Sequence, residues 1–384
     1  GQVSNCNNII LNIDRIKEAD ATMTDKEWRE WKSEAYCWRA WNLFQMSQIW
    51  GDIPLVNSIP PAITAENIEE VYKEYYPART SREDVYKRII EELEFAAENA
   101  PDVDPSNKFL FTKGFAHGML ARIFAEETCR DWTKVEEHCR AVEGMGYSLV
   151  DDYGMMWAYD ENDAVRNTSE SIFEVTYTRG SGNWVWMMFH RNAYNPSDSY
   201  SWIKWITPSR DLVAAYEKEG DTERKNACIC EDEATWSNYY PANKYKFMHK
   251  VPTNASSIIL MRLGEIYLLH AEALAKTGDI KGAIGYVNDI RKRAGIAAIP
   301  VPSTEEEAID AILHERRLEL AFEGFRFFDL LRHGFERVKA VHDAMPQKDS
   351  YWQPRLPLTP ETVLMPVPQT ALDNNPSLNP NAGY

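Results

Sequence analysis

The chain reads as a mainly α-helical protein in which four helical hairpins pack against a loop-rich, mixed insert. Apolar residues recur at helical spacing from Asn5 to Val142 and again from Leu260 to Arg332. Between about Asp151 and Ile258 that period fails, leaving one alternating stretch, Ser171 to Tyr177 (SIFEVTY), of strand type. With 384 residues and 44% hydrophobic content, the chain can bury a large core.

The elements follow in order. Ile9, Ile13 and Ile16 mark a first helix, and Trp28, Trp31, Trp38, Trp41 and Phe44 mark an aromatic one whose tryptophans are expected in the core. Gly51-Asp52-Ile53-Pro54 ends it, because glycine releases the backbone and proline cannot continue the helix. After a Pro/Ala connector, Ser81 can cap a long helix through Val85, Ile89, Leu93 and Ala96. Helices over Lys113–Glu127 and Trp132–Val142 complete two hairpins. In the third, Tyr267, Ala271, Leu274, Ala283, Val287 and Ile290 stand where a tetratricopeptide unit places its packing residues, with Gly278 turning the chain and Asp279 capping the return helix. The fourth joins Glu305–Ile312 to a helix over Glu315–Arg332. After about His342 the chain is proline-rich, as expected of a tail lying extended on the bundle. This gives a helical part over 1–150, an insert over 151–258, hairpins over 259–340 and a tail over 341–384, within one structural unit.

The segment Glu315 to Gly334, ERRLELAFEGFRFFDLLRHG, is too apolar for a surface helix yet carries Arg316, Glu319, Glu323, Arg326 and Asp329. An unpaired buried charge costs on the order of 3 to 5 kcal/mol, so these residues are expected to form a fixed structural network, along the helix or to neighbouring elements.

Bulk properties exclude several functions. A formal charge of −17 without a basic patch argues against a nucleic-acid partner. No apolar run reaches about 18 residues, so nothing spans a bilayer as a helix, and any membrane attachment is expected to be covalent and upstream. Cys6, Cys37, Cys129, Cys139, Cys228 and Cys230 show no zinc spacing, and Cys228-x-Cys230 reads as two ordinary thiols. Asp160-Glu161-Asn162-Asp163 lacks the spacing of a calcium loop. Nucleophile elbows, zinc-protease motifs and phosphate-binding glycine loops are absent, and His270 and His314 read as satisfied helix residues. No catalytic residue, metal ligand or cofactor is assigned.

The insert concentrates Trp184, Trp186, Tyr194, Tyr200 and Trp202, with Asn183 and Arg191 among them. Aromatic rings fit the CH-rich faces of sugars, and amide or guanidinium groups can bind hydroxyls, so these residues form the candidate glycan platform. Packing of the insert onto the helices is the competing reading for any one of them.

The segment ERRLELAFEGFRFFDLLRHG closely resembles the signature of the SusD/RagB family, the nutrient-binding lipoproteins of the Bacteroidetes outer membrane. Arg39–Val56 (RAWNLFQMSQIWGDIPLV) and Leu260–Gly295 are similar to that family's first repeat helix and central hairpin. Met365–Tyr384 resembles its tail, with Asn-Ala-Gly-Tyr where Asn-Pro-Gly-Tyr is usual. The resemblance implies a SusD-like fold and a protein held on the outer face of the outer membrane by an N-terminal lipid. It implies capture of oligosaccharides, without cleavage, for a SusC-like TonB-dependent transporter. Cys6, followed by helical sequence, does not fit the lipid-bearing cysteine, which the family places in an upstream segment that often adds ligand-binding aromatics. Two alternatives stand beside glycan capture: uptake of peptides or protein fragments, and glycoside hydrolysis.

Overall fold

The computed structural model describes residues 1–58, 60–160, 164–178, 180–183, 185, 207–353 and 357–384. They fall into two compact units that interleave along the chain: Gly1–Val103, Leu110–His138 and Pro354–Tyr384 in one, Asp104–Phe109 and Cys139–Gln353 in the other.

The first unit contains α1 (Gln2–Ala19), α2 (Asp25–Trp50), α3 (Ile68–Tyr75), α4 (Arg82–Asn99), α5 (Lys113–Ala125) and the start of α6 (Trp132–Glu143). Thr24 and Glu27 form a capping box that satisfies donors at the start of α2, and Ser81 caps α4 as its position predicts. Helix α2 packs on α1 and α4, and α4 packs on α5. The seam of α2 is made of Ala35, Cys37, Ala40, Leu43, Phe44 and Ser47 rather than its tryptophans. Trp31 is 51% exposed, and Trp28, Trp38 and Trp41 are half-buried. Small residues let helix axes approach, and an indole in that seam would hold them apart. Arg39, buried in the same helix, is paired with Glu92 and donates to Asn7 at 2.6 Å. The tail closes against the end of α2: the Asn381 amide donates to the carbonyls of Met365 (2.7 Å) and Trp50 (3.1 Å), and its oxygen accepts from Arg79 (2.7 Å).

In the second unit, β1 (Ser171–Val175) realises the alternating stretch and pairs antiparallel with residues Ile258–Arg262. The stretch expected to lack helices contains α7 (Arg210–Glu219) and α8 (Thr222–Cys228). Both are short enough to escape a periodicity search, but both are capped, α7 by Ser209 and Gly220 and α8 by Asp221. They lead into the hairpin β2 (Ile229–Asp232) and β3 (Tyr245–Met248), and Ile258–Arg262 is β4. Helices α9 (Leu263–Thr277) and α10 (Ile280–Arg293) form the predicted hairpin, with Asp279 accepting from Gly282 N at 2.8 Å. Helix α11 (Glu305–Glu319) packs on both.

The single helix expected over 315–332 is instead broken. Helix α11 stops at Glu319, and α12 (Arg326–Arg332) begins after a turn in which Phe322 and Gly324 take φ of +67° and +86°. The carbonyls at the end of α11 find partners elsewhere. Leu318 O accepts from the Tyr216 hydroxyl at 2.7 Å, and Glu319 O accepts from Tyr153 (2.7 Å) and Arg262 (2.8 Å). Those two acceptors, which lose their helical partners at the break, are thus satisfied from other elements. Helix α13 (Phe335–Lys348) then continues past the expected loss of periodicity at His342.

The charges of this segment meet partners from many elements. Glu319 faces Arg224 (3.1 Å), Arg262 (2.5 Å) and Arg293. Glu323 binds Lys250 (2.6 Å) and Arg262 (2.8 Å). Arg316 lies between Asp329 (2.8 Å) and Glu272 (3.3 Å). Arg326 differs from the expected network: it donates to Leu313 O at 2.9 Å and makes no ion pair among the described residues. Asp329, its expected neighbour, is already held by Arg316 and Arg332.

Gly264, in the first turn of α9, lies directly on this network. A Cβ there would stand 2.6 Å from Arg262 Nη1, 2.8 Å from Glu170 Oε1 and 2.9 Å from Glu319 Oε1. Gly264→Ala should therefore cost about 1 to 3 kcal/mol, the usual range for overpacking. Chemical denaturation reads this directly, and an unchanged midpoint would mean that the network yields freely.

Candidate functional site

The candidate site of the second unit is built where two helix ends meet the loop of the β2–β3 hairpin. That loop carries Trp236, Ser237, Asn238, Tyr239 and Tyr240. Tyr240 turns inward and donates to Pro208 O at 2.9 Å, fixing the loop against the start of α7. Arg210, the first residue of α7, places its guanidinium 4.3 Å from the centre of the Tyr239 ring and donates from Nε to the Tyr239 carbonyl at 3.0 Å. Asp349, at the end of α13, accepts from Arg210 Nη1 at 3.1 Å and from the Tyr239 hydroxyl. Tyr351 stands edge-on to Tyr239 with centroids 5.0 Å apart.

The result is an open cleft of about 820 Å³. Trp236 is 43% exposed while packing on Tyr245 and Phe247, and Tyr351 is 53% exposed. Burial opposes ionisation of Asp349, yet the hydrogen bonds from Tyr239 and the Tyr351 amide, with Arg210 beside it, hold its carboxyl below the usual range. Burial and the bond to Asp349 push the Tyr239 hydroxyl up to about 12. The cleft therefore presents neutral aromatic faces, hydroxyls and an amide, with its guanidinium compensated by a carboxylate. Such a surface suits ligands with apolar faces and many hydroxyls.

Of the residues assigned to the glycan platform, Trp184, Trp186, Arg191, Tyr194, Tyr200 and Trp202 lie outside the described residues. Asn183 is buried rather than ligand-facing. Its amide donates to Ser256 O at 2.6 Å and its oxygen accepts from Val185 N at 2.9 Å, so its polar atoms are spent on the backbone. The sequence reading passed over Trp236, Tyr239, Tyr351 and Arg210. Their signal was present: Trp236 to Pro241 reads WSNYYP, aromatic residues mixed with turn and amide residues, the criterion applied to the preceding segment. His270 and His314 are bound to Glu143 (2.7 Å) and Glu219 (3.1 Å).

Residues 145–384 match the SusD family, and residues 2–125 match a family described as starch-binding and associating with the outer membrane. The chain belongs to the SusD family. This is a family of carbohydrate-binding proteins rather than enzymes. SusD-like protein P38 of Formosa agariphila is 26% identical over 400 residues, covering 92% of this chain and 74% of that protein. The starch-binding protein SusD of Bacteroides thetaiotaomicron is 33% identical over 156 residues, covering 39% of this chain and 25% of that protein. A solved structure of a laminarin binding SusD-like protein shares the fold, with a TM-score of 0.75 at 23% identity over 99% of this chain and 83% of that one. No helix among the described residues of this SusD-family chain is long and apolar enough to cross a membrane.

Proposed function

We propose that this SusD-family protein captures oligosaccharides at the outer face of the outer membrane, held there by an N-terminal lipid, and passes them uncleaved to a SusC-like TonB-dependent transporter. The observation that carries the reading is the cleft, where the exposed rings of Trp236 and Tyr351 stand beside Ser237 and Asn238 on a fixed frame. Membership in the family and the names of two relatives, one starch-binding and one laminarin binding, support a glycan cargo. Hydrolysis of a glycosidic bond uses two carboxyl groups about 5 to 9.5 Å apart across the bond. Asp349 is engaged by Arg210 and Tyr239, and the described lining adds no second carboxylate.

Trp236→Ala and Tyr351→Ala should each weaken binding of malto- or laminari-oligosaccharides by roughly five- to tenfold, since a stacked ring is worth about 1 kcal/mol. Melting temperatures should barely move, because both rings are half exposed. Calorimetric titration, set beside a glycan array and a peptide panel, tests site and cargo together. Unchanged affinity in both variants would move the site out of this cleft, and selective binding on the peptide panel would replace the cargo. Co-purification of a TonB-dependent transporter from the native membrane tests the partner.

A further inference from the structure

We propose a second binding site in the same unit, at the turn between α11 and α12, for a small molecule that carries a carboxylate on an apolar or aromatic body. A pocket of about 400 Å³ opens there, lined by Leu212, Phe322, Phe325 and Phe327 and by Arg316, Arg317 and Arg326. It shares no lining residue with the aromatic cleft. Its volume matches a ring or short chain, not a polysaccharide.

The three arginines are not equivalent. Arg316 is bound to Asp329 and Glu272, and Arg317 to Asp211. Arg326 donates one N–H to Leu313 O and has no carboxylate partner among the described residues. A guanidinium offers five donors in a planar fork that matches a carboxylate. Burial and the nearby Arg317 lower the Arg326 pKa to about 10, with Asp329 and Asp211 offsetting only part of that. It remains protonated at neutral pH, and an incoming anion would meet a guanidinium to which no carboxylate is bonded among the described residues.

The rest of the lining is largely apolar, and one of its residues is held in an uncommon conformation. Phe322 has a φ of +67°, a region that bulky residues rarely adopt, and such backbone settings concentrate at ligand sites. Phe327 is 37% exposed beside it. A cation in a pocket also lined by phenyl rings selects a ligand with a negative head and an apolar body, and disfavours a neutral one of the same shape.

The test uses the full chain and two probes, 3-phenylpropionate and 3-phenylpropionamide, titrated calorimetrically. The acid should bind more tightly than the amide by about tenfold to a hundredfold, the usual worth of a charge-assisted hydrogen bond. Arg326→Gln should abolish that preference, Arg326→Lys should retain part of it, and oligosaccharide affinity should stay the same in both. Equal binding of acid and amide to the unsubstituted protein, or binding of neither, overturns the proposal even if the variants fail to fold. A preference surviving in a folded Arg326→Gln protein overturns it as well.

Discussion

Arg262→Ala should destabilise the protein by about 3 to 5 kcal/mol, the range for removing one member of a buried ion pair. Its guanidinium is 1% exposed and makes five hydrogen bonds: Nη1 to Glu170 (2.7 Å) and Glu319 (2.5 Å), Nε to Glu323 (2.9 Å), and Nη2 to Glu323 (2.8 Å) and the Glu319 carbonyl (2.8 Å). Alanine leaves those acceptors in a space too enclosed for bulk water to replace the donors. Part of the charge on Glu319 and Glu170 remains answered by Arg293, and part of that on Glu323 by Lys250, which bounds the loss. Arg326→Ala serves as the contrast. Having no carboxylate partner among the described residues, it should cost less than about 1.5 kcal/mol, the range for one net hydrogen bond. Urea denaturation of the two variants separates the possibilities. Equal losses would mean that position along the segment, rather than pairing, sets the energetics.

Acid should unfold the protein earlier than its overall charge suggests. Burial would raise the pKa values of Glu319 and Glu272, but Arg293, Arg262 and Arg224 around the first, and Arg332, His333 and Arg316 around the second, pull them far below the ordinary carboxylate value. A carboxylate depressed on folding contributes stability that is complete above its unfolded pKa, about 4.3, and is lost as pH falls toward the folded value. Each such group should contribute on the order of 2 to 3 kcal/mol to the acid limb. Glu92 and Asp221 act in the opposite sense, because burial outweighs Arg39 and Arg224 and leaves their carboxyls raised. The expected curve begins to fall below about pH 6.5, where His117, His138, His249 and His333, whose pKa values burial lowers, bind protons more readily in the unfolded chain, and it steepens below about 5 as the carboxylates protonate. Glu319→Gln should be less stable at neutral pH and show a shallower acid limb. A variant curve parallel to that of the unsubstituted protein would remove Glu319 as a source of the pH dependence.

The helices were legible because their signals are local. Ser81 and Asp279 each act within three residues, and the apolar period of Val85, Ile89, Leu93 and Ala96 needs no knowledge of what covers it. The alternating stretch at Ser171 became a strand for the same reason, although its partner lies at Ile258–Arg262. The family was legible too, since its motifs are contiguous, and the requirement that charges in an apolar segment be paired followed from composition alone.

What pairs with what was decided only in three dimensions. Arg262 and Glu319 are 57 residues apart, and Arg210 and Asp349 are 139 apart. No spacing rule reaches that far. The break after Glu319 belongs to the same class, because it depends on hydroxyl and guanidinium donors from Tyr153, Tyr216 and Arg262 rather than on the segment's own helical preference. So does the cleft, whose Arg210, Trp236, Tyr239 and Tyr351 come from a helix start, a hairpin loop and the residues after another helix. Sequence set where the backbone turns and which groups must not be buried alone. Tertiary packing chose their partners, because electrostatic and ring contacts act through space and only the folded chain sets those distances.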